Sequence, residues 1–234
     1  MGHKVHPHIH RTGILFPWRS RWVTKDGYAK NLQQDLQIRE YLFATYKDAL
    51  LDDVYLERGP KNITITIFAA KPGIIIGRGG QGLDDLRKNL ERKFLQMSTK
   101  VKLNIQEVRD PSLSAEVVAQ QMVKDIENRI PFRRVMKQVI ERVMNAGAKG
   151  VKIDMAGRLN GAEIARRETL SSGKIPLITL RSNVDYTSRR AETIYGTIGV
   201  KVWIYKGESF EMIDKLAQKQ EPRKRGSAKR SNRK

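Results

Sequence analysis

Apolar residues recur at helical spacing early in the chain, where Leu32, Leu36, Phe43, Tyr46 and Leu50 mark one face of a predicted helix over residues 31–51. The period then changes to two. Residues 54–58 and 63–68 read as strands, with Ile63, Ile65 and Ile67 facing one way and Thr64 and Thr66 the other. The sequence RGPKN supplies the turn between them. The run KPGIIIGRGGQG follows, its PGIIIG portion predicting one short apolar helical turn. Leu83, Leu86, Leu90 and Phe94 mark a second amphipathic helix, and VKLNIQEV over 101–108 alternates as a third strand. The predicted order is therefore α-β-β-α-α-β.

A second set of elements begins after Arg109. Pro111 biases Asp110 away from helix and marks a boundary. Ala115, Val118, Ala119, Met122 and Ile126 form a helical stripe that ends at Pro131. Met136, Val139, Ile140, Val143 and Met144 form another, closed by the glycines of NAGAKG. Strands are expected at 151–155, 175–180 and 200–205, with GRLNGAEIARRE as a connection between the first two. The fold class is α+β throughout. Residues 1–30 show little periodicity and read as a docking arm, because a free solvated tail rarely carries Trp18 and Trp22 beside Phe16. From Lys215 the apolar signal stops. The expected organisation is an arm over 1–30, one domain over 31–109, a second over 110–210 and a basic tail over 211–234, whose low-complexity end cannot bury enough apolar surface to fold alone.

Charge changes the picture. The 234 residues hold 45 Lys+Arg against 25 Asp+Glu, a formal net charge of +20. Such an excess repels itself, and the usual counterweight is a polyanion that releases counterions when its phosphates are neutralised. No apolar run approaches the ~20 residues of a membrane span, and no secretory signal is expected, so a membrane partner is set aside. With no cysteine there is no disulfide and no Cys-ligated zinc.

Against that background the glycine run can be read in three ways. GRGGQG fits G-x-G-x-x-G, the dinucleotide fingerprint, and Gly77-Arg78-Gly79-Gly80 fits G-x-x-G, the loop with which KH domains clamp single-stranded nucleic acid. A structural glycine turn is the third reading. The dinucleotide reading leaves only three isoleucines for the strand ahead of the turn and needs several βαβ units, whereas a hairpin precedes the motif. The KH reading uses every element. The glycines let a sugar-phosphate backbone approach, and the helix starting at Gln81 turns free N–H groups toward it. Asp84 and Asp85 in its first turn partly oppose that field, so the loop is expected to bind weakly by itself.

Three other groups carry chemistry. His3, His6, His8 and His10 suggest a metal cluster, but their spacing is loose and no acid completes a shell, so a solvated or RNA-facing arm is expected instead. In PFRRVMKQVIERV, Arg134, Lys137 and Glu141 share the polar side of the helix and Arg133 lies at its border. Cations at a helix N-terminus are disfavoured, which suggests an external anion, while a solvated charged face is the plain alternative. In GRLNGAEIARRE, Arg158, Arg166 and Arg167 stand beside Gly157 and Gly161 as either surface arginines or a phosphate-binding loop. No catalytic triad, paired carboxylates or P-loop is found.

The motifs MGHKVHP, PW, KPGIIIGRGG, VRDP, PFRRVMK, GAKGVKI, GRLNGAEIAR and YGTIGVKVWIYKGE, in this order along almost the whole chain, resemble the family of the third small-subunit ribosomal protein, of bacterial and organelle-encoded type. The resemblance implies a type II KH domain followed by a second α+β domain. It implies a structural, non-enzymatic protein of the cytoplasmic or organellar small subunit, without cofactor or metal and not a homo-oligomer. Its partners would be 16S-type rRNA in the head, mRNA and neighbouring small-subunit proteins. In that family the cations matching Arg133, Arg134 and Lys137 line the channel by which mRNA enters and help to open its secondary structure. Expected rRNA contacts are Lys4, Arg11, Arg19, Arg21 and Trp22 in the arm, and Arg158, Arg166, Arg167, Arg181, Arg189 and Arg190 in the second domain. The chain departs from the family at His3, where Gln is commoner, at Asn160, where many members have Gly, and in its histidine-rich arm.

Overall fold

A computed structural model describes residues 4–24, 27–59, 62–95 and 99–216. The alternating isoleucines build the centre of the first sheet. Strands β1 (Ser20–Arg21), β2 (Leu51–Arg58), β3 (Asn62–Ala69) and β4 (Lys100–Glu107) lie in that order, β2 and β3 antiparallel and the outer pairs parallel. A parallel β3–β4 pair requires a crossover. Two helices supply it after the arm helix α1 (Pro7–Arg11) and the long α2 (Tyr28–Thr45): the short α3 (Pro72–Ile76) and α4 (Gln81–Lys93). Ile63, Ile65 and Ile67 bury against Ile38, Leu42, Ile75, Leu86 and Leu90. Helix α2, then β2-β3-α3-α4-β4, is the type II KH order.

Helix α2 departs from its predicted face. It ends at Thr45, a tight 3-10 turn covers Lys47–Ala49, and Leu51 already belongs to β2. Leu32 and Leu36 are 39% and 51% exposed, while Asp35 is fully buried beside Ile38 and Leu42. The physical reason is a polar hub. The Asp35 carboxylate accepts from the Ser20 hydroxyl and Trp22 Nε1, both at 2.9 Å, and from Arg58 Nε at 2.8 Å and Arg58 Nη2. That hub holds the end of the arm against α2 and β2, and apolar periodicity is blind to it.

The second sheet has the order β6-β5-β8-β7 and is antiparallel throughout: β5 (Gly150–Gly157), β6 (Arg166–Gly173), β7 (Ser182–Thr193) and β8 (Gly196–Glu208). Its apolar positions, Val151, Ile153, Met155, Val200 and Val202, pack under α5 (Ala115–Glu127) and α6 (Phe132–Asn145). The strand expected over 175–180 is absent. Ile175 and Leu177 instead cover the other side of the sheet, against Val184, Trp203 and Tyr205. The polar strands β6 and β7 escape the sequence reading because they are the two outer strands and carry few apolar residues.

The arm docks on the second sheet through α1 and β7, and the chain returns to it at the C-terminal side, where the Ile213 N–H donates to Leu15 O at 2.7 Å. The apolar signal was expected to stop at Lys215, but its ammonium lies 2.6 Å from Asp52 and 3.7 Å from Asp53. Burial alone would pull Lys215 down; Asp52 and Asp53 outweigh it and hold the ammonium above the usual lysine range. Residues 217–234 of the expected basic tail, His3 and the tip of the RGPKN turn lie outside the described residues. Across the two sheets, Ser114 Oγ donates to Asp52 and Gln120 Nε2 to Leu51 O, at 2.5 and 2.8 Å.

Candidate nucleic-acid interface

The glycine loop is built for close approach from outside. Gly77, Gly79 and Gly80 all have positive φ, at 69°, 61° and 82°, so the chain turns sharply between α3 and α4. Gly77, Arg78 and Gly79 are exposed. No side chain caps the first turn of α4, so its orphan N–H groups stay open. Close packing also fixes the loop from behind. A Cβ on Gly82 would lie 2.6 Å from Ile75 O and 3.0 Å from Ile76 O, so only glycine lets α4 pass α3 here. Asp84 is exposed and lies 3.7 Å from Arg87, which draws part of its charge along the helix and away from the loop.

On α6, Phe132, Val135, Met136, Val139 and Val143 face the core. The same 3.6-residue period turns Arg133, Arg134 and Lys137 outward, and all three are exposed. Arg133 Nη2 lies 3.4 Å from Glu168 Oε1 and its guanidinium sits 5.8 Å from the Phe132 ring. Arg134 and Lys137 make no ion pair among the described residues. Arg166 approaches the same ring at 5.7 Å and the same Glu168 at 3.7 Å, so β6 extends the basic surface of α6. The Asn160 side-chain oxygen accepts from the Phe132 N–H at 3.4 Å, filling the cap that Pro131 leaves empty. Asn160 has φ 54°, a left-handed conformation that Gly or Asn tolerates, which explains why both residues suit this position.

The remaining expected contacts divide. Lys4 and Arg190 are exposed. Arg181 is exposed too but pairs with Glu208 at 2.9 Å. Arg158 reaches Ala162 O at 2.8 Å and Tyr195 O at 3.2 Å. Arg19 pairs with Asp53 at 3.0 Å, and Arg21 with Asp214 at 2.8 Å. Arg167 is claimed by Asp154, whose carboxyl burial alone would raise; the bonds from Arg167 and Thr169 outweigh burial and hold it below the usual range. Arg189 joins the two domains, donating to Glu116 while lying 4.8 Å from the Phe43 ring.

One expected RNA contact is corrected outright. Arg11 is fully buried and donates to Pro7 O, Pro176 O, Leu177 O and Thr179 O, satisfying carbonyls that the irregular segment 174–181 would otherwise orphan. Trp22 stays half-buried, with its Nε1–H turned inward to Asp35 and its ring partly open to solvent. His8 departs from the expected solvated or RNA-facing arm, because its Nε2 lies 3.2 Å from Asp185 Oδ1 and 3.1 Å from the Tyr186 N, and its ring stacks on Phe16, while His6 and His10 are exposed. The arm therefore faces the protein at His8. Sequence reasoning missed Asp35 and Asp185, whose only available signal was an acid placed in a strongly basic chain.

A G-x-x-G loop set between α3 and α4 of a type II KH unit, joined to a second α+β unit with a cationic helix, defines a KH-domain protein of nucleic-acid-binding type. The model of the KH domain matches residues 37–113, and that of the ribosomal protein S3 C-terminal domain matches 122–204. The small ribosomal subunit protein uS3 of Bacillus cytotoxicus is 47% identical over 208 residues, covering 89% of this chain and 94% of its own. Those of Ligilactobacillus salivarius and Enterococcus faecalis are 45% identical over the same length. The chain belongs to the uS3 family of small-ribosomal-subunit proteins.

Proposed function

We propose that this chain is a structural constituent of the small ribosomal subunit in the cytoplasm, bound to 16S-type rRNA in the head and to neighbouring small-subunit proteins, as a single copy. It performs no reaction and carries no cofactor. Arg133, Arg134 and Lys137 line the channel by which mRNA enters. There they grip single-stranded phosphates while translocation draws the strand through, so duplex mRNA opens passively.

The observation that supports this reading most is the α6 face. Its cations project from a helix whose opposite side is locked into the core, and two of the three have no carboxylate partner among the described residues. Cations held out on a rigid element, unspent inside the molecule, fit an external polyanion. The KH loop adds a weaker second contact through its backbone.

The test is small subunits assembled with Arg133→Ala, Arg134→Ala and Lys137→Ala combined. The altered protein should co-sediment with small subunits at one copy each, and translation should slow specifically on messages with stable hairpins. Failure to co-sediment in the unaltered protein removes the ribosomal reading. Normal incorporation with unchanged hairpin sensitivity removes the channel role alone.

A further inference from the structure

The turn between β7 and β8 consists of Ile194 and Tyr195, 75% and 54% exposed. Nothing in the core explains a tyrosine at that tip. Its ring lies against the loop at Gly161, where a Cβ would meet Tyr195 Cε2 at 3.0 Å, so glycine is what lets the ring settle there. Arg158 Nη1 donates to the Tyr195 carbonyl at 3.2 Å, and its guanidinium sits 5.6 Å from the ring centre. The aromatic side chain is thus held from behind on a residue that remains exposed.

The same loop leads directly to the cationic helix. Asn160, next to Gly161, caps α6 through the Phe132 N–H, and Arg133 and Arg166 converge on the Phe132 ring. One short loop therefore connects a solvent-facing aromatic to the outward cations of α6. The acids nearby are Glu168, already engaged by Arg133 and Arg166, Glu163 in the same loop, and Glu192, whose backbone N–H meets Glu127. Cations that follow a backbone, together with an exposed ring that accepts a base face, are the two parts of a sequence-tolerant site for single strands. A duplex keeps its bases stacked on each other and offers no face to such a ring.

We propose that Tyr195 is a base-stacking platform that extends the α6 surface along single-stranded RNA. Arg158 and Gly161 act as positioning residues for it. The proposal rests on the reading of α6 as a contact for mRNA and deepens it: one nucleotide of the strand gripped by Arg134 and Lys137 is unstacked onto Tyr195. Preference for unpaired RNA then comes from the ring, and affinity for phosphate from the helix.

The test uses the full chain and a fluorescein-labelled oligouridine of about twelve nucleotides, with a duplex of equal length as control. Tyr195→Ala should weaken oligouridine binding about 5- to 150-fold, the range expected of base–aromatic stacking, with no change in salt slope and little change on duplex. Tyr195→Phe should restore binding. Arg134→Ala/Lys137→Ala should instead lower the salt slope on both probes. Should Tyr195→Ala bind oligouridine normally while the α6 variant loses affinity, the platform is refuted and the α6 reading stands. Equal losses on single strand and duplex refute stacking as well. If neither variant weakens binding, both readings fall. A 4-thiouridine crosslink from the unaltered protein, mapped by mass spectrometry, reads the contact independently of any folding defect, and its absence at Tyr195 overturns the proposal.

Discussion

Arginines do opposite work in two regions of this molecule. Where the arm meets the body of the protein they turn inward: Arg58 closes on the buried Asp35 at the seam with α2 and the first sheet, and Arg11 disappears under the irregular segment of the second domain. On α6 the cations turn outward, Arg133 meeting Glu168 while Arg134 and Lys137 make no ion pair among the described residues. The net charge of +20 therefore overstates the charge available to RNA at some places and understates the role of acids at others. A cation in this chain is either drawn inward onto protein partners or left facing solvent with few or none. What decides between them is whether the neighbouring backbone or carboxylates lack a partner.

The largest effect expected on this contrast comes from Arg58→Ala. It leaves Asp35 fully buried without its cation, and breaking such a pair costs about 3–5 kcal/mol. Thermal unfolding of the full chain should fall by many degrees, and proteolysis should open first near Trp22. A variant that melts like the unaltered protein would show that Ser20 and Trp22 alone satisfy the carboxylate. Arg134→Ala/Lys137→Ala, also a loss of cations, should move stability by less than about 0.5 kcal/mol, since exposed side chains away from special features do little.

How far the sequence reveals this division differs by region. The isoleucines of β3 and the stripe of α6 are legible, because apolar burial leaves a period. The outward side of α6 is legible for the same reason: once Val135, Met136 and Val139 are fixed inside, Arg134 and Lys137 have nowhere else to go. The seam leaves no such mark. Arg11 and Arg19 look alike in the chain, yet one satisfies carbonyls of residues 176–179 and the other pairs with Asp53, partners more than 30 positions away in both cases. Asp35 stands between Leu32 and Leu36, and the leucines drew the predicted face toward themselves. Polar burial depends on partners, and partners are a property of the fold.

Acid should sharpen the contrast next. Burial alone would raise Asp185; Lys206 and then His8 outweigh it and hold the carboxyl well below its usual range. A carboxyl depressed in the folded state stabilises above its unfolded value of about 4, and that contribution is lost as pH falls through and below it. His6 is lowered, first by burial and then by His8 and Arg19. The undocked arm therefore takes up a proton more readily, and docking weakens as pH falls below about 6.5. Fluorescence of Trp18 and Trp22, followed from pH 7 to 3, should report a small loosening of the arm and then a larger one below about pH 4. A single global transition would place the arm within the main cooperative unit.

The α6 variant should show its effect in binding alone. Removing Arg133, Arg134 and Lys137 takes away up to three phosphate contacts, which lowers the salt slope on single-stranded RNA by about 2. Arg78→Ala, one cation on the glycine loop, should lower it by less than 1. If the two changes proved equal, the loop would hold more of the strand than its exposed backbone and single arginine suggest. If the seam variant Arg58→Ala lowered the slope as much as the α6 variant without unfolding, the division into inward and outward arginines would fail.

The smallest effect concerns the residue that joins loop and helix. Asn160→Gly removes the oxygen that accepts from the Phe132 N–H, a long bond at 3.4 Å, and also relieves a left-handed backbone at φ 54°. The lost bond is long and worth on the order of 0.5 kcal/mol, and the backbone relief offsets it, so the melting temperature should hardly move. Asn160→Ala gains no such relief, because it keeps a Cβ in the left-handed region without asparagine's tolerance of it, so it should cost about 1–2 kcal/mol. The pair of variants separates cap from backbone. A marked loss in Asn160→Gly would mean that the side-chain oxygen is what holds the loop, and with it Gly161 and Tyr195, against the start of α6.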